Sequence, residues 1–307
     1  MLKKFILTPG NAKYEHVREG IVNFTLPAFR TDRAVGYMKK GDLVCKGAFL
    51  CARGCYALAG RQGLPGSRAP QHERLAFSMT DAFVGEIVEE IGWYAENGVE
   101  TRVDLGGGKS KAGPKRTLKL IRIHDSGDFY DEPYLLKWFE VCRKIGEAYP
   151  NLKFWAYTKQ VKMLKANWGA KPENLVVVFS EGGWEDSLID VYRDKFCRVF
   201  VGERQMREAI KAGWFEDGMG EKRGDIDAVF GPKNVGLFFH SAWNRSGEYK
   251  AGGNYNPFTT DPNDPVYPAV REVESRYMTA IMTTDRLRLK SEEVDRITEA
   301  LGELKKA

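Results

Sequence analysis

Histidine and cysteine are scarce in this chain of 307 residues, which has four histidines and five cysteines. Long apolar runs are also lacking, since no window approaches the roughly 18 consecutive apolar residues that a membrane-spanning helix needs. A basic flank at the start is followed by an apolar stretch that is too short for a signal peptide. We therefore expect no membrane insertion and predict a cytoplasmic protein.

No internal repeat, low-complexity tract or long linker divides the sequence. Its 43% hydrophobic and 12% aromatic content is enough for a large core. These features predict one α/β domain over residues 1–307 with decorated loops, and the chemically informative motifs lie within about residues 20–160.

The net charge of +5 is modest but unevenly distributed. Residues 106–122, GGGKSKAGPKRTLKLIR, contain lysines and arginines and no acid. Such a run can contact phosphates or can simply be a solvated basic loop, and the sequence leaves both interpretations open. Within it, DLGGGKSKAG lacks the spacing of a phosphate-binding loop, so we interpret it as a flexible basic loop.

Hydrophobic periodicity predicts alternating helices and strands. One long helix is expected over about residues 70–97, and a strand, LKLIRI, precedes a second helix that Asp131 should cap. Further strands are predicted at NLKFWAYT, NLVVVFS, CRVFVG and VGLFF. The alternation and the buried character of these strands predict a mostly parallel sheet, as a partial (β/α) barrel or a doubly wound sheet.

Polar residues follow several of these strands, at the end where parallel sheets carry their active sites. They include a histidine after the last predicted strand that is a candidate catalytic residue. The candidates at these strand ends are His124, Asp125, Ser126, Gly127, Asp128, Thr158, Lys159, Ser180 and His240.

Cys45, Cys51 and Cys55 form a C-x5-C-x3-C cluster with glycines between them. In a reducing compartment such a cluster is more typical of metal binding than of disulfides. Three thiolates can hold a [4Fe-4S] cluster with one open iron, or zinc with a fourth ligand, for which His72 is the nearest candidate. The spacing does not decide between these metals.

The segment HDSGD after the strand LKLIRI offers two carboxylates, a hydroxyl and a glycine that permits close backbone approach. Such a turn can bind an amine or a ribose hydroxyl, or position a general base. We expect Asp125 and Asp128 to be functional. Strand alternation places His124 and Asp125 on opposite sides, so one of them can be a hydrogen-bonded core residue.

The segments GIVNFTLPAF, CKGAFLCARGCYALAGR, RIHDSGDFYDEPYLLKWFEV and PNLKFWAYTKQ resemble a phage-associated family known as gene product 88, over roughly residues 20–160. That family in turn resembles a diverged branch of the radical S-adenosylmethionine enzymes. Two departures are the wider cysteine spacing, against C-x3-C-x2-C, and Asp128 where those enzymes have a glutamate.

This resemblance implies a partial (β/α) barrel with the cysteine loop at its open end. It implies a [4Fe-4S] cluster on Cys45, Cys51 and Cys55, and S-adenosylmethionine held by the turn Ser126-Gly127-Asp128. An electron donor would be needed, and the location would be the host cytoplasm if the protein is phage-encoded. Modification of a nucleotide or a nucleic-acid base is the expected task.

Two other functions remain open from the residues. The first is a zinc-containing nucleic-acid transferase or glycosylase that uses Asp125 or Asp128 as nucleophile or base. The second is a non-catalytic nucleic-acid-binding protein, in which the basic run and the aromatic residues form the binding platform.

Overall fold

The structure is a computed structural model that describes residues 6–10, 14, 17–48, 57, 65–106, 109–200, 203–218 and 225–238. Three of the predicted site residues, Cys51, Cys55 and His240, lie outside the described residues. None of the helices in the described ranges is long and apolar enough to cross a membrane.

The described chain forms a mixed α/β fold around one eight-stranded sheet. The strand order is β1-β2-β5-β6-β7-β8-β10-β9, and every neighbouring pair is parallel except β1 with β2. The strands are β1 Thr8–Pro9, β2 Gly20–Phe24, β5 Leu118–Ile123, β6 Lys153–Thr158, β7 Leu175–Ser180, β8 Phe196–Phe200, β9 Phe215–Asp217 and β10 Asn234–Phe238.

Each described helix lies between two strands in the chain. They are α1 Pro65–Ser78, α2 Phe83–Asn97, α3 Glu132–Ala148, α4 Val161–Ala166, α5 Glu203–Lys211 and α6 Ile226–Phe230. Short 3-10 turns occur at Trp168–Ala170 and Asp186–Leu188. The strands β2, β5, β6, β7 and β8 are neighbours in the sheet in the same order as in the chain. Each connection therefore crosses to the next strand in the same direction along the sheet.

Two apolar clusters cover the two faces of the sheet. Phe154 and Ala156 belong to the larger cluster, which includes the buried sides of α2 and α3. Trp155 alternates with them along β6 and belongs to a smaller cluster with Tyr14 and Val229. Because strands covered on both faces need apolar residues at every position, this explains the continuous hydrophobic runs in the sequence.

The prediction of an α/β fold with a mostly parallel sheet is confirmed. Within the described strands the sheet has β1 and β9 at its two edges, and no pairing between these edges closes it.

The single helix predicted over residues 70–97 is wrong, because two helices with a break at Met79–Ala82 occupy this range. Ser78 Oγ donates to the carbonyl of Leu75 at 2.7 Å, and Thr80 Oγ1 donates to that of Phe77 at 2.8 Å. Hydroxyl groups that bind nearby carbonyls compete with the helical pattern, which ends α1 here. The predicted end of the helical range at Asn97 is confirmed, because α2 ends at that residue.

The flexible basic loop predicted from DLGGGKSKAG is also wrong. Strands β3 Val99–Gly106 and β4 Lys109–Arg116 pair antiparallel from Val99 opposite Arg116 to Gly106 opposite Lys109. They form a two-stranded sheet of their own. Gly106, one of the glycines of this segment, pairs with Lys109 at the end of the described hairpin, because backbone pairing needs no particular side chain.

Asp131 caps α3 as predicted: its carboxylate accepts the backbone N–H of Tyr134 at 2.9 Å, and Pro133 lies in the first turn.

We expect Asp131→Ala to lower the free energy of unfolding by about 1 kcal/mol, because a helix amide loses its acceptor. Asp131→Asn keeps a capping oxygen and should lose less. Urea denaturation of both variants measures this, and equal losses would contradict the capping role.

Candidate functional site

The carboxyl ends of β2, β5, β6 and β7 meet at one edge of the sheet, because these strands are parallel neighbours. Thr25 follows β2, the segment 124–128 follows β5, and Thr158 and Ser180 end β6 and β7. The edge thereby gathers most of the residues that the sequence analysis singled out. We call it the carboxyl edge.

The turn after β5 is tied to the end of β2. Asp125 is buried, and its carboxylate accepts a hydrogen bond from Thr25 Oγ1 at 2.5 Å. The carbonyl of Ser126 accepts the backbone N–H of Leu26 at 3.0 Å. Gly127 has φ +88°, and a Cβ there would lie 2.5 Å from the Cβ of Leu26. A glycine is therefore required at this position on both conformational and steric grounds.

Asp128 is fully engaged by the protein. Its carboxylate accepts Thr158 Oγ1 at 2.6 Å, the amide of Lys159 at 3.0 Å and its neighbour Phe129's amide at 2.8 Å. Burial raises the pKa of Asp128 to about 6, although these donors oppose the shift. Asp128 thus joins the end of β5 to the end of β6.

The side chain of Lys159 joins β6 to β7. Its ammonium group donates to the carbonyl and hydroxyl oxygens of Ser180 at 2.8 and 2.7 Å, and to the carbonyl of Glu181 at 2.7 Å. Three acceptors use all three protons of the ammonium group. We call the connected set Asp128, Thr158, Lys159 and Ser180 the clasp.

The loop that carries Cys45 packs against this clasp. A Cβ on Gly47 would lie 2.5 Å from the carbonyl oxygen of Lys159, and one on Gly183 would lie 2.7 Å from the carbonyl oxygen of Gly47. Ala48 forms a β-bridge with Gly183. The described part of the cysteine loop therefore lies at the carboxyl edge, next to the clasp.

Cys45 is half-buried, and its sulfur accepts the backbone N–H of Phe29 at 3.4 Å. Among the described residues no group of three histidine, cysteine or acidic side chains is placed to hold a metal ion. Cys142 and Cys197 are buried in the two apolar clusters, and burial raises the pKa of both thiols.

His72, the predicted alternative zinc ligand, has contacts at both ring nitrogens. Nδ1 lies 2.8 Å from the carbonyl oxygen of Arg68, and Nε2 lies 2.9 Å from the carboxylate of Asp32. The residue is buried and links α1 to the segment before Cys45. Metal binding by His72 would require it to give up one of these partners.

His124, a candidate catalytic residue, lies in the aromatic core. Its Nε2 is 2.7 Å from the hydroxyl of Tyr134, and its ring packs edge-on against Phe129 with centroids 4.8 Å apart. Burial, with a smaller effect of the Arg122 charge, lowers the pKa of His124 to about 3. The backbone of His124 has φ +63°, outside the range of a β-strand. The regular alternation of side chains along β5 therefore does not continue through His124.

Seven buried side-chain nitrogen or oxygen atoms have no hydrogen-bond partner within the described part of the chain, and three of these atoms, Asn23 Oδ1, Ser126 Oγ and Gln160 Nε2, belong to β2 or to segments that follow β5 and β6. Asn23 is on β2, Ser126 is in the turn after β5, and Gln160 follows β6. Because an unsatisfied buried polar atom costs free energy, each is a group that a bound polar ligand would stabilise.

A polar network that the sequence patterns did not reveal lies on the face of the sheet opposite α2 and α3. Asp225 accepts hydrogen bonds from the hydroxyls of Tyr14 at 3.1 Å and Tyr157 at 2.8 Å. Arg122 donates to the hydroxyl of Tyr14 at 2.9 Å and lies over the ring of Tyr157. These residues are far apart in sequence, so only alternation along β5 and β6 could have signalled that Arg122 and Tyr157 share a face.

The profile of a family described as gene product 88 matches residues 4–242. The chain belongs to the gene product 88 family. Comparison with curated proteins and with solved structures gives no significant match. For this gene product 88 protein the matched span extends well beyond residues 20–160 and includes every candidate site residue. The comparisons do not support the likeness to radical S-adenosylmethionine enzymes, which stays a proposal.

Gly47→Ala tests the packing of the cysteine loop on the clasp. We expect a loss of about 1 to 3 kcal/mol in the free energy of unfolding, because the new Cβ overlaps backbone atoms of Lys159. Alkylation of Cys45, followed by peptide mass spectrometry, should become faster. Gly85→Ala in α2 is the control, since nothing lies within 4 Å of its Cβ. Unchanged Cys45 reactivity in Gly47→Ala would contradict the described packing.

Asp128→Asn tests the raised pKa of the clasp carboxyl. The ordinary value is 3.8 and the folded value is about 6, so between these values only the folded state holds the proton. The stability that Asp128 contributes is therefore complete below about pH 4 and is lost as the pH rises through 6.

Urea unfolding of wild type and Asp128→Asn at several pH values measures this effect. The stability of wild type relative to the variant should fall between pH 4 and 6, by at most about 3 kcal/mol. His124 titrates in both proteins, so its contribution cancels in the difference. A pH-independent difference would show that Asp128 has an ordinary pKa.

Proposed function

We propose that this protein is an iron-sulfur enzyme of the radical S-adenosylmethionine type. The observation that carries the proposal is the packing of Gly47, in the Cys45 loop, against Lys159, whose backbone N–H donates to Asp128. The thiol-bearing loop and the acidic turn thus belong to one edge of the sheet. In that class of enzyme the cysteine loop and the cofactor-binding turn share such an edge.

The winding of the sheet supports a partial (β/α) barrel. From β2 to β8 the strands follow one another in order and in parallel, with the thiol loop after β2 and the acidic turn after β5, the next strand in the sheet. A reversal of strand order, as in doubly wound folds, occurs only at β10 and β9 among the described strands.

The proposed cluster ligands are Cys45, Cys51 and Cys55. The amide of Phe29 that donates to Cys45 Sγ fits a thiolate ligand, because hydrogen bonds to sulfur stabilise its negative charge and tune the cluster's potential. Cys142 and Cys197 do not fit this role, since burial raises their thiol pKa values. When bound, the cluster would supply one electron, received from an external donor, for the reductive cleavage of S-adenosylmethionine.

In the turn after β5, Ser126 Oγ is the group that fits a polar cofactor, because it is buried and without a partner in the described part of the chain. Asp128, Thr158, Lys159 and Ser180 act instead as positioning residues, since their polar groups bind one another. Asp125, at the same turn, is the acidic group proposed to accept or hold a proton. His124 would have a structural role in the core, and His240 stays a prediction.

The proposed substrate is a nucleotide or a nucleic-acid base. Gln160 Nε2 gives the carboxyl edge a donor without a partner in the described ranges, which suits the polar edge of a base. The basic hairpin does not contribute to this edge, because it begins and ends near the amino-terminal ends of β2 and β5, away from the carboxyl edge.

Metal analysis of protein purified without oxygen tests the proposal. We expect about four irons per chain, as a [4Fe-4S] cluster requires, and a brown colour that dithionite bleaches. Replacing Cys45, Cys51 or Cys55 with serine should remove most of the iron. Cys142→Ala and Cys197→Ala are matched controls that should retain it, because these thiols lie in the apolar clusters.

A colourless protein with one zinc would contradict the iron-sulfur proposal and favour the zinc-containing transferase or glycosylase. Loss of iron in the Cys142 or Cys197 variants would show that the ligand assignment is wrong. Binding of S-adenosylmethionine to the iron-loaded protein, measured by calorimetry, should weaken in Ser126→Ala. Equal binding by wild type and this variant would remove Ser126 from the cofactor site.

A further inference from the structure

The hairpin β3-β4, which we call the ribbon, stands apart from the main sheet. Its two strands pair only with each other and form a separate two-stranded sheet. Its base is held at the amino-terminal ends of β2 and β5, where the N–H of Gly20 donates to the carbonyl of Thr117 at 2.7 Å. The carboxyl edge is at the other end of these strands, about 20 Å away along β5 by the rise of a strand.

Residues 111–115 of strand β4 reach solvent on both faces of the strand. Lys111 and Ala112 are consecutive and exposed, and so are Pro114 and Lys115. Successive residues of a strand point to opposite faces, so neither face of this part of β4 is covered by the described protein. An isolated two-stranded hairpin is only marginally stable in water, and a bound partner would stabilise it.

The ribbon carries excess positive charge. Over residues 99–116 the bases Arg102, Lys109, Lys111, Lys115 and Arg116 outnumber the acids Glu100 and Asp104. Arg116 donates to the carbonyl of Tyr14 at 3.1 Å, so its side chain has a structural contact within the protein. Glu100 lies opposite Lys115 in the pairing, but no ion pair joins them. Lys111 and Lys115 make no side-chain hydrogen bond or ion pair within the described residues.

We propose that the ribbon is a nucleic-acid-binding element that contacts the phosphate backbone of a duplex without reading its sequence. A two-stranded ribbon has dimensions that the major groove admits, and exposed lysines gain affinity when they release the counterions of a polyanion. A small nucleotide at the carboxyl edge would not reach the ribbon. If the carboxyl edge acts on bases, a step that rests on the proposed function, the substrate is a polymer.

Fluorescence anisotropy with a labelled random-sequence DNA duplex, over a series of NaCl concentrations, tests this inference. Wild-type affinity should fall steeply with salt. The double variant Lys111→Gln/Lys115→Gln should bind on the order of tenfold more weakly, with the slope of log K against log salt reduced by about 1 for each lysine.

The matched control is Lys144→Gln/Lys211→Gln, which makes the same change in net charge at exposed sites on α3 and α5. It should bind like wild type. Equal binding by all three proteins, or no binding by wild type, would overturn the inference. Binding of polyglutamate as tightly as of DNA would also overturn it, in favour of an acidic protein partner.

Iron content separates this inference from the proposed function. The ribbon should bind DNA in Cys45→Ser protein that has lost its metal, because no cluster ligand lies on it. Intact DNA binding by a protein that never holds iron would leave the ribbon assignment standing and reject the radical enzyme. A protein that holds iron but does not bind DNA would reject the ribbon assignment and leave the iron-sulfur proposal standing.

Discussion

The clasp of Asp128, Thr158, Lys159 and Ser180 is the constraint on which the geometry of the carboxyl edge depends. A single carboxylate accepts a hydroxyl and an amide from the end of the neighbouring strand, and the lysine it fixes then reaches the next strand. Gly47 of the Cys45 loop packs on the backbone of that lysine, and Gly183, after β7, packs on the carbonyl of Gly47. Hydrogen bonds within the protein thereby hold positions that are distant in sequence at one edge.

Buried ionisable groups around this edge have opposite pKa shifts with one physical cause. Burial disfavours charge, so it raises the pKa of Asp128 to about 6 and lowers that of His124 to about 3. Asp186 behaves like Asp128: burial raises its pKa to about 7, although the amides of Gly182 and Gly183 donate to it. The loop after β7 and the clasp therefore both contain carboxyls that gain protons close to neutral pH.

The two ends of the sheet have different characters. The carboxyl edge is buried and polar, with satisfied carboxylates and a few unpartnered atoms in the described residues. The opposite end bears a hairpin with exposed lysines at positions 111 and 115. A parallel sheet produces this separation, because all its strands end at one edge and their connections return to the other. A site for chemistry and a surface for a polymer can then be held by one rigid scaffold.

Patterns in the amino-acid sequence were sufficient to predict the parallel α/β class, the cap at Asp131 and the concentration of polar residues at strand ends. These are local patterns, in which hydrophobic runs and turn residues act within a few positions of one another. Three features emerge from the three-dimensional structure: His124 faces the aromatic core, Asp128 binds the protein itself, and residues 99–116 pair as a ribbon. The first depends on a backbone angle, the positive φ of His124, and the second depends on contacts with a segment 30 positions away in the chain. The third depends on backbone pairing between two neighbouring strands, and the periodicity of side chains encodes none of the three.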